Sequence, residues 1–116
     1  FIENAKRFKG ENKIKVFDSN FLAVDKTQIA NIDLMFYDAD HSHEMTSLAV
    51  TYFADKFVDE AILIFDDANF EGVVSGANEG IKESGLEIIY HKLILNEIED
   101  PDQWWNGLYI TIVRRK

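Results

Sequence analysis

Several residue types that mark whole classes of protein are missing or scarce in this chain of 116 residues. Cysteine is absent, which excludes a disulfide framework and a thiolate metal site. A chain without cysteine suits a reducing compartment, and we expect a cytoplasmic location. One proline and six glycines exclude collagen-like and low-complexity sequence. The chain also lacks an apolar run near the roughly 20 residues of a membrane-spanning helix.

Basic residues are also in short supply, with 12 Lys and Arg against 21 Asp and Glu and a formal net charge of −9. Such a surface repels phosphate backbones and anionic lipids, so we expect no nucleic acid and no membrane among the partners. What the chain has is a globular composition, with 47% hydrophobic and 13% aromatic residues. Its length suits one domain over residues 1–116.

The spacing of the apolar residues alternates between helical and strand-like periods and predicts the order α-β-β-α-β-α-β-β. Two central strands are near-continuous apolar runs, as expected of strands buried on both faces. Helices between buried strands predict an α/β fold, specifically a three-layer sandwich. The predicted elements are a weak helix over 1–9, strands at Lys13–Phe17, Ile32–Tyr37 and Ala61–Phe65, helices over 42–58 and from 70 to a stop at Gly85, and a closing antiparallel pair at Leu86–Leu95 and Leu108–Val113.

Each of the two central strands ends in a cluster of acids, within the segments FYDADHSHE and IFDDANFE. Ligands of open α/β sheets bind beyond the carboxyl ends of the strands. If the two strands are parallel neighbours, Asp38, Asp66 and Asp67 meet at that edge. Three carboxylates so close repel one another unless a cation lies between them, and oxygen ligands favour Mg²⁺, Mn²⁺ or Ca²⁺ over zinc. His41, in the loop after Asp38, is then a candidate general base.

The same acids have a structural interpretation, because Asp is a favoured residue at helix N-termini. In that interpretation Asp66 or Asp67 caps the helix that follows, and Asp38 or Asp40 caps the helix over 42–58. The occurrence of acids after both buried strands favours a site over capping. We expect the other notable side chains to be structural or solvated: His43 and His91 on the surface, Trp104 and Trp105 as a plug over the sheet edge, and Glu97, Glu99, Asp100 and Asp102 as a solvated acidic run.

At these acids the chain resembles a known family. IDLMFYDADHSHE, a helix and AILIFDDANFEG are similar to the fourth and fifth strands of class I S-adenosylmethionine-dependent methyltransferases, above all the metal-dependent small-molecule O-methyltransferases. The resemblance implies that Asp38, Asp66 and Asp67 hold a divalent cation, with Mg²⁺ as the first candidate. His41 stands where many members have a Lys, so the resemblance implies a base of different identity at that position.

The resemblance extends along the whole chain. DSNF at 18–21 is similar to the segment that borders the adenine ring of S-adenosylmethionine, which implies cofactor contacts from Asp18, Ser19 and Asn20, together with Asp38. The closing strand pair resembles the sixth strand and the antiparallel seventh strand of the family. The implied fold is a Rossmann-like methyltransferase sandwich that contains strands three to seven of the usual seven.

Two features of the family have no counterpart in this sequence: the Gly-rich loop that cradles the methionine end of the cofactor, and the acid that holds its ribose. Gly72, Gly76 and Gly80 fall inside a predicted helix and do not replace that loop. We therefore expect residues 1–116 to be the C-terminal part of a methyltransferase domain. The implied activity is methyl transfer from S-adenosylmethionine to an oxygen of a small-molecule acceptor, assisted by the cation.

Two alternatives stay open. A haloacid-dehalogenase-like phosphohydrolase also has a buried strand that ends in Asp-x-Asp, and it would use Asp38 as nucleophile and Asp40 as acid. The other alternative is a truncated, non-catalytic binding domain, since the Gly-rich loop is missing. A chain without the first strands of the fold leaves the Ile32–Tyr37 strand as an apolar edge, and we expect self-association through that edge.

Overall fold

The elements of the fold follow the predicted order except near the N-terminus. The computed structural model describes residues 1–96 and 100–116. None of the helices in these two ranges combines the length and the apolar character that crossing a membrane requires. The elements are α1 (Ile2–Phe8), β1 (Ile32–Tyr37), α2 (His43–Phe53), β2 (Phe57–Asp66), α3 (Glu71–Glu83), β3 (Leu86–Ile94) and β4 (Leu108–Arg115), with short 3₁₀ turns at Phe21–Ala23, Lys26–Gln28 and Ala54–Lys56.

The four strands of the described residues form one mixed sheet in the order β1-β2-β4-β3. β1 and β2 run parallel, with Tyr37 paired to Phe65 near their carboxyl ends. β4 lies between β2 and β3 and runs antiparallel to both. The predicted antiparallel pairing of the last two strands is therefore confirmed, and the fold is a mixed α/β arrangement.

The second helix is shorter than its apolar spacing predicts. α2 ends at Phe53 and a 3₁₀ turn follows, so Phe57 and Val58 begin β2 instead of closing the helix. Phe57 is buried and belongs to the same core as the strand residues after it. The spacing misleads because Phe57 reaches this core from the strand just as it would from a longer helix.

The strand predicted at Lys13–Phe17 is wrong. The segment has no regular secondary structure, and Ile14 and Val16 are 45% and 48% exposed. A strand is held by hydrogen bonds to a neighbouring strand. Within residues 1–96 and 100–116, the sheet contains no strand paired with this segment. The apolar alternation is present without the partner that would make it part of a sheet.

The core lies on one face of the sheet. Alternate residues of β2, namely Ala61, Leu63 and Phe65, are fully buried, and Tyr109 and Val113 of β4 join them. Burying a side chain such as Leu63 or Phe65 contributes about 1.5–3 kcal/mol to stability. The helical residues of the same cluster are Ala49 and Val50 from α2 and Val73, Ala77 and Ile81 from α3.

The opposite face of the sheet is left partly exposed in the described residues, since the buried residues of α2 and α3 belong to the core on the first face. Leu34, Phe36 and Ile62 on this face are 52%, 48% and 37% exposed. The cause is the direction of the chain. The crossovers from β1 to β2 and from β2 to β3 move the same way across the sheet. Right-handed crossovers in one direction place their helices on one face.

Glycine sets the distance between α2 and α3, which pack side by side. A Cβ atom at Gly76 would overlap the carbonyl group of His43. A Cβ atom at Gly80 would lie 2.7 Å from the carbonyl oxygen of Ser47. The two backbones therefore approach more closely than a side chain at these positions allows. The four-residue spacing of the glycines is the spacing of one helix face.

Replacing Gly76 by Ala is expected to destabilise the protein by about 1–3 kcal/mol, because the new methyl group must displace the backbone of α2. At an unhindered position inside a helix the same substitution stabilises by up to about 1 kcal/mol. The sign of the change in stability therefore shows whether the helices approach closely at Gly76. Thermal unfolding measures the difference, with Lys82→Ala on the exposed side of α3 as the control. A Gly76→Ala protein as stable as its parent would contradict the close approach of the helices.

Candidate metal centre

Three carboxylates meet at the carboxyl edge of the parallel strand pair. Asp38 directly follows β1 and Asp66 ends β2, so the pairing of Tyr37 with Phe65 places these acids side by side. Asp38, Asp66 and Asp67, which we call the carboxylate cluster, each offer one oxygen atom, and these atoms all lie within 4.8 Å of one another. Asp66 and Asp67 are half-buried, and Asp38 is exposed. The structure thus brings together the three acids that the sequence predicts to meet.

The capping interpretation is wrong for the acids after β2. α3 begins after Phe70, and its N-terminus has no side-chain cap. Neither Asp66 nor Asp67 therefore caps this helix.

α2 does have a side-chain cap, but Asp38 takes no part in it. Ser42 Oγ accepts a hydrogen bond from the Met45 N–H at 3.2 Å. Asp40 supports the turn before the cap, because its Oδ1 accepts a hydrogen bond from the Ser42 N–H at 2.8 Å. The hydroxyl and the N–H of Ser42 together hold the pKa of the Asp40 carboxyl below its usual value. Asp40 is thus a structural residue of this loop.

Asp66 is fixed by two N–H donors on one oxygen. Its Oδ1 accepts hydrogen bonds from the Asp67 N–H at 2.9 Å and from the Trp104 indole N–H at 2.7 Å. Trp104 lies in the β3–β4 connection, residues 95–107, and is 38 positions from Asp66 in the chain. The prediction that Trp104 and Trp105 form a plug is wrong, since they are 50% and 65% exposed. Trp104 contacts the carboxylate cluster instead.

Asp67 has a partner at each of its two oxygens. Oδ1 accepts a hydrogen bond from the side-chain amide of Asn106 at 3.3 Å. Oδ2 lies 3.3 Å from His41 Nε2. The His41 ring stacks on Phe70, with ring centroids 4.3 Å apart and an interplanar angle of 5°. The predicted base is therefore held against the carboxylate cluster, while Asn106 and Phe70 are contacts that the sequence did not indicate.

The two loops that flank the carboxylate cluster are joined through their backbones. The N–H of Asn69 donates to Asn106 O at 2.7 Å, and the N–H of Ala68 donates to Gly107 O at 3.4 Å. Asp67 and Asn106 both have φ of 57°, in the left-handed region that residues other than glycine seldom adopt. A Cβ at Gly107 would lie 2.6 Å from Asn69 Oδ1. The Asn-Gly dipeptide is a sequence signal for this turn, but it does not identify the loop that the turn contacts.

The predicted cofactor segment lies beside the same strand edge. Phe21 packs edge-on against Tyr37, with ring centroids 6.2 Å apart, which anchors the segment near the end of β1. Asp18, Ser19 and Asn20 are exposed. Asn20 Oδ1 accepts a hydrogen bond at 2.9 Å from the backbone two residues further on, so this oxygen serves the local turn. Within the described chain, none of these three residues belongs to the carboxylate cluster.

Two further histidines lie away from the carboxylate cluster. His43 is exposed as predicted, but it has partners that the sequence did not indicate. Its Nδ1 lies 2.7 Å from Ser75 Oγ, and its Nε2 contacts the Glu79 carboxylate. These contacts link the outer sides of α2 and α3. His91 is exposed on β3, as predicted.

Part of the predicted acidic run falls outside the described residues, namely Glu97 and Glu99. Asp102 is exposed, as predicted. Asp100 is half-buried, and its N–H donates to Asn96 Oδ1 at 3.0 Å. The prediction of a solvated run is therefore wrong for Asp100, which helps to close the β3–β4 connection.

The donor set of the carboxylate cluster fits a small, hard divalent cation. All three donors are carboxylate oxygens. Oxygen ligands suit Mg²⁺ and Mn²⁺ better than zinc, for which nitrogen and sulfur ligands are usual. Mg²⁺ also keeps several of its waters when it binds, and the exposed position of Asp38 leaves room for them.

Comparison of the chain with protein-family models and with curated proteins gave no match.

Replacing Ser42 by Ala is expected to lower the free energy of unfolding by about 1 kcal/mol, because α2 loses its side-chain cap. The change also removes the hydroxyl that lowers the pKa of Asp40, so this pKa should rise toward 3.8. Chemical denaturation measures the first effect, and NMR titration of the carboxyl groups measures the second. Ser19→Ala in an exposed turn is the control.

The sign of the pH dependence follows from the direction of that shift. A carboxyl whose pKa is lowered by folding stabilises the folded state above its unfolded pKa, and this contribution is lost as the pH falls through the folded pKa. The parent protein should lose the contribution of Asp40 below pH 3.8. Ser42→Ala should lose less over the same range. An unchanged Asp40 titration in this variant would refute the role given to the hydroxyl.

Proposed function

We propose that this chain is part of an S-adenosylmethionine-dependent methyltransferase that transfers a methyl group to an oxygen of a small-molecule acceptor with the help of a divalent cation. The observation that carries the proposal is the carboxylate cluster at the carboxyl edge of two parallel strands. Ligands of open α/β sheets bind at this edge. The cluster caps neither neighbouring helix, which favours a binding role.

The sheet topology supports the same proposal. β4 runs antiparallel between β2 and β3, which are parallel to each other. Such an insertion agrees with the resemblance of the closing strand pair to the sixth and seventh methyltransferase strands. The proposed fold is accordingly a partial Rossmann-like sandwich in which β1, β2, β3 and β4 correspond to the fourth to seventh strands. The segment that resembles the third strand, residues 13–17, has no regular secondary structure and pairs with no strand of the sheet within residues 1–96 and 100–116.

The proposed metal role is assigned to Asp38, Asp66 and Asp67. A bound cation supplies charge neutralisation for the three carboxylates and lowers the pKa of an acceptor hydroxyl beside it. Asp66 and Asp67 are half-buried and held by N–H donors, so they act as the fixed ligands. Asp38 is exposed, so we assign it to the open side of the cluster, where it would border both cation and acceptor.

His41 is proposed to take the proton of the acceptor hydroxyl. Its Nε2 lies 3.3 Å from Asp67 Oδ2. With Nε2–H directed at this carboxylate, Nδ1 is left as the proton acceptor. The imidazolium that forms is then stabilised by the neighbouring carboxylate, as in other paired bases. Stacking on Phe70 fixes the ring plane, which keeps the accepting nitrogen in one direction.

The proposed contacts to S-adenosylmethionine involve Asp18, Ser19 and Asn20, together with Asp38. The first three residues are exposed, and the Phe21–Tyr37 contact holds them near the carboxyl end of β1. Asn20 keeps its side-chain amide group for an additional hydrogen bond, because the local turn uses only its oxygen. Since the sequence has no Gly-rich loop, these residues fit one end of the cofactor only.

The phosphohydrolase alternative is less well supported. It needs Asp40 as a proton donor, whereas Ser42 holds the pKa of Asp40 below its usual value. Asp40 Oδ1 also accepts the Ser42 N–H at 2.8 Å, so this carboxylate serves as the acceptor of a local turn and not as a proton donor. Turnover of a generic aryl phosphate would reverse this ranking.

The metal role predicts that Mg²⁺ binds to the chain through Asp38. Asp38→Ala should abolish Mg²⁺ binding in titration calorimetry, because the cluster loses one of its three oxygen donors. Asp33→Ala removes the same charge from β1 outside the cluster and should leave binding intact. Titration of S-adenosylhomocysteine with and without Mg²⁺ measures the cofactor role. Methyl transfer that survives a chelator, or Mg²⁺ binding unaffected by Asp38→Ala, would overturn the metal role.

We also propose that the chain self-associates through β1. This strand is at an edge of the sheet, and its Leu34 and Phe36 side chains are about half exposed. An apolar edge strand has backbone groups that can pair with another chain. A truncated binding domain would use the same edge.

Phe36→Lys is expected to shift the chain from dimer toward monomer in sedimentation velocity, because a charge on an edge strand opposes pairing with a second strand. Leu48→Lys places the same charge on the exposed side of α2, where it should have no effect on assembly. A parent protein that stays monomeric at the highest concentration tested would contradict self-association.

A further inference from the structure

The β3–β4 connection supplies a hydrogen-bond donor to an acid of the carboxylate cluster. The indole N–H of Trp104 donates to Asp66 Oδ1 at 2.7 Å. The same oxygen accepts the Asp67 N–H at 2.9 Å. A carboxylate oxygen has two lone pairs in its plane, so Oδ1 is fully used by these two donors. Oδ2 is then the oxygen of Asp66 that is left for a cation.

Two donors on one oxygen also fix the orientation of the carboxylate. A free Asp side chain rotates about its terminal bond, so either oxygen can face a ligand. The Asp67 N–H belongs to the loop itself and comes with the backbone. The Trp104 N–H comes from a distant part of the chain. The second donor to Asp66 Oδ1 is therefore present only when Trp104 is held in this position.

Trp104 is itself held in place by the backbone of its turn. The Gly107 N–H donates to Trp104 O at 3.2 Å, and the Asn69 N–H donates to Asn106 O at 2.7 Å. The Asn106 side chain reaches Asp67 at 3.3 Å. The turn over residues 104–107 thus contacts both half-buried acids of the cluster. Its base is closed by the Asp100 N–H, which donates to Asn96 Oδ1 at 3.0 Å.

We propose that Trp104 is a positioning residue of the divalent-cation site, which holds Asp66 with Oδ2 directed at the cation. The inference rests on the metal role proposed above. Partners of metal ligands orient those ligands, and their loss weakens metal binding by about 10- to 100-fold. Trp104 has this relation to Asp66, because its indole N–H donates to Asp66 Oδ1.

Trp105 provides a matched control. It is the adjacent residue, it has the same side chain and it is 65% exposed. It has no hydrogen-bond partner among residues 1–96 and 100–116 in the structure. Because the chain contains two tryptophans, Trp105→Phe leaves Trp104 as the single indole, and Trp104→Phe leaves Trp105.

The test titrates the parent protein and both variants with Mn²⁺. Binding is monitored by calorimetry and by tryptophan fluorescence emission. Trp104→Phe should bind Mn²⁺ about 10- to 100-fold more weakly than the parent, whereas Trp105→Phe should bind with unchanged affinity. In Trp105→Phe the emission comes from Trp104, and the paramagnetic ion should quench it. The midpoint of this quenching should equal the midpoint of the calorimetric titration. Trp104→His, which keeps a ring N–H, should recover part of the lost affinity.

The outcomes separate this inference from the metal role. If the parent protein binds no Mn²⁺, the metal role fails and the positioning role fails with it. If the parent binds Mn²⁺ and Trp104→Phe binds it equally well, only the positioning role is overturned. If circular dichroism shows that Trp104→Phe is unfolded, the emission of Trp105→Phe decides. An emission that follows Mn²⁺ binding supports the inference, and one that does not respond overturns it.

Discussion

The parallel register of β1 and β2 is the constraint on which the rest of the structure depends. Pairing of Tyr37 with Phe65 places the residues that follow them at one edge, so Asp38 and Asp66 become neighbours without any contact of their own to bring them there. A parallel pair also requires a crossover helix, which is α2. The same register turns alternate residues of β2 toward that helix and forms the core. Core and carboxylate cluster are therefore two results of one pairing.

The carboxylate cluster is maintained by contacts from outside the parallel pair. Three acids within 4.8 Å repel one another in the absence of a cation. N–H donors reduce that repulsion at Asp66 and Asp67, and they come largely from the β3–β4 connection. Left-handed backbone occurs on both sides of this contact, at Asp67 in the loop after β2 and at Asn106 in the β3–β4 connection. Strained backbone and unfavourable charge at one place are typical of sites where function, and not stability, determines the residues.

The sequence predicts those parts of this arrangement that depend on local patterns. Apolar runs identify β1 and β2, and the acids at their ends follow directly. The contact of Trp104 with Asp66 has no local signal, because its two residues lie 38 positions apart in the chain and meet only through the sheet order. The strand prediction at Lys13–Phe17 is wrong for a related reason. An alternating apolar pattern indicates that a segment can pair in a sheet, but it does not indicate that a neighbouring strand is present. The number of layers depends on crossover direction, which composition does not record.

Gly72 shows how far the determinants of a site can lie from its chemistry. A Cβ atom there would lie 2.9 Å from both His41 O and His43 N, so the first turn of α3 lies directly against the loop that carries His41. The residue has no functional group, yet the relative position of the two acid-bearing loops depends on the absence of its side chain. In a mutational map of this protein, positions such as this one would cluster with the acids of the carboxylate cluster in phenotype while resembling ordinary helix residues in every chemical respect.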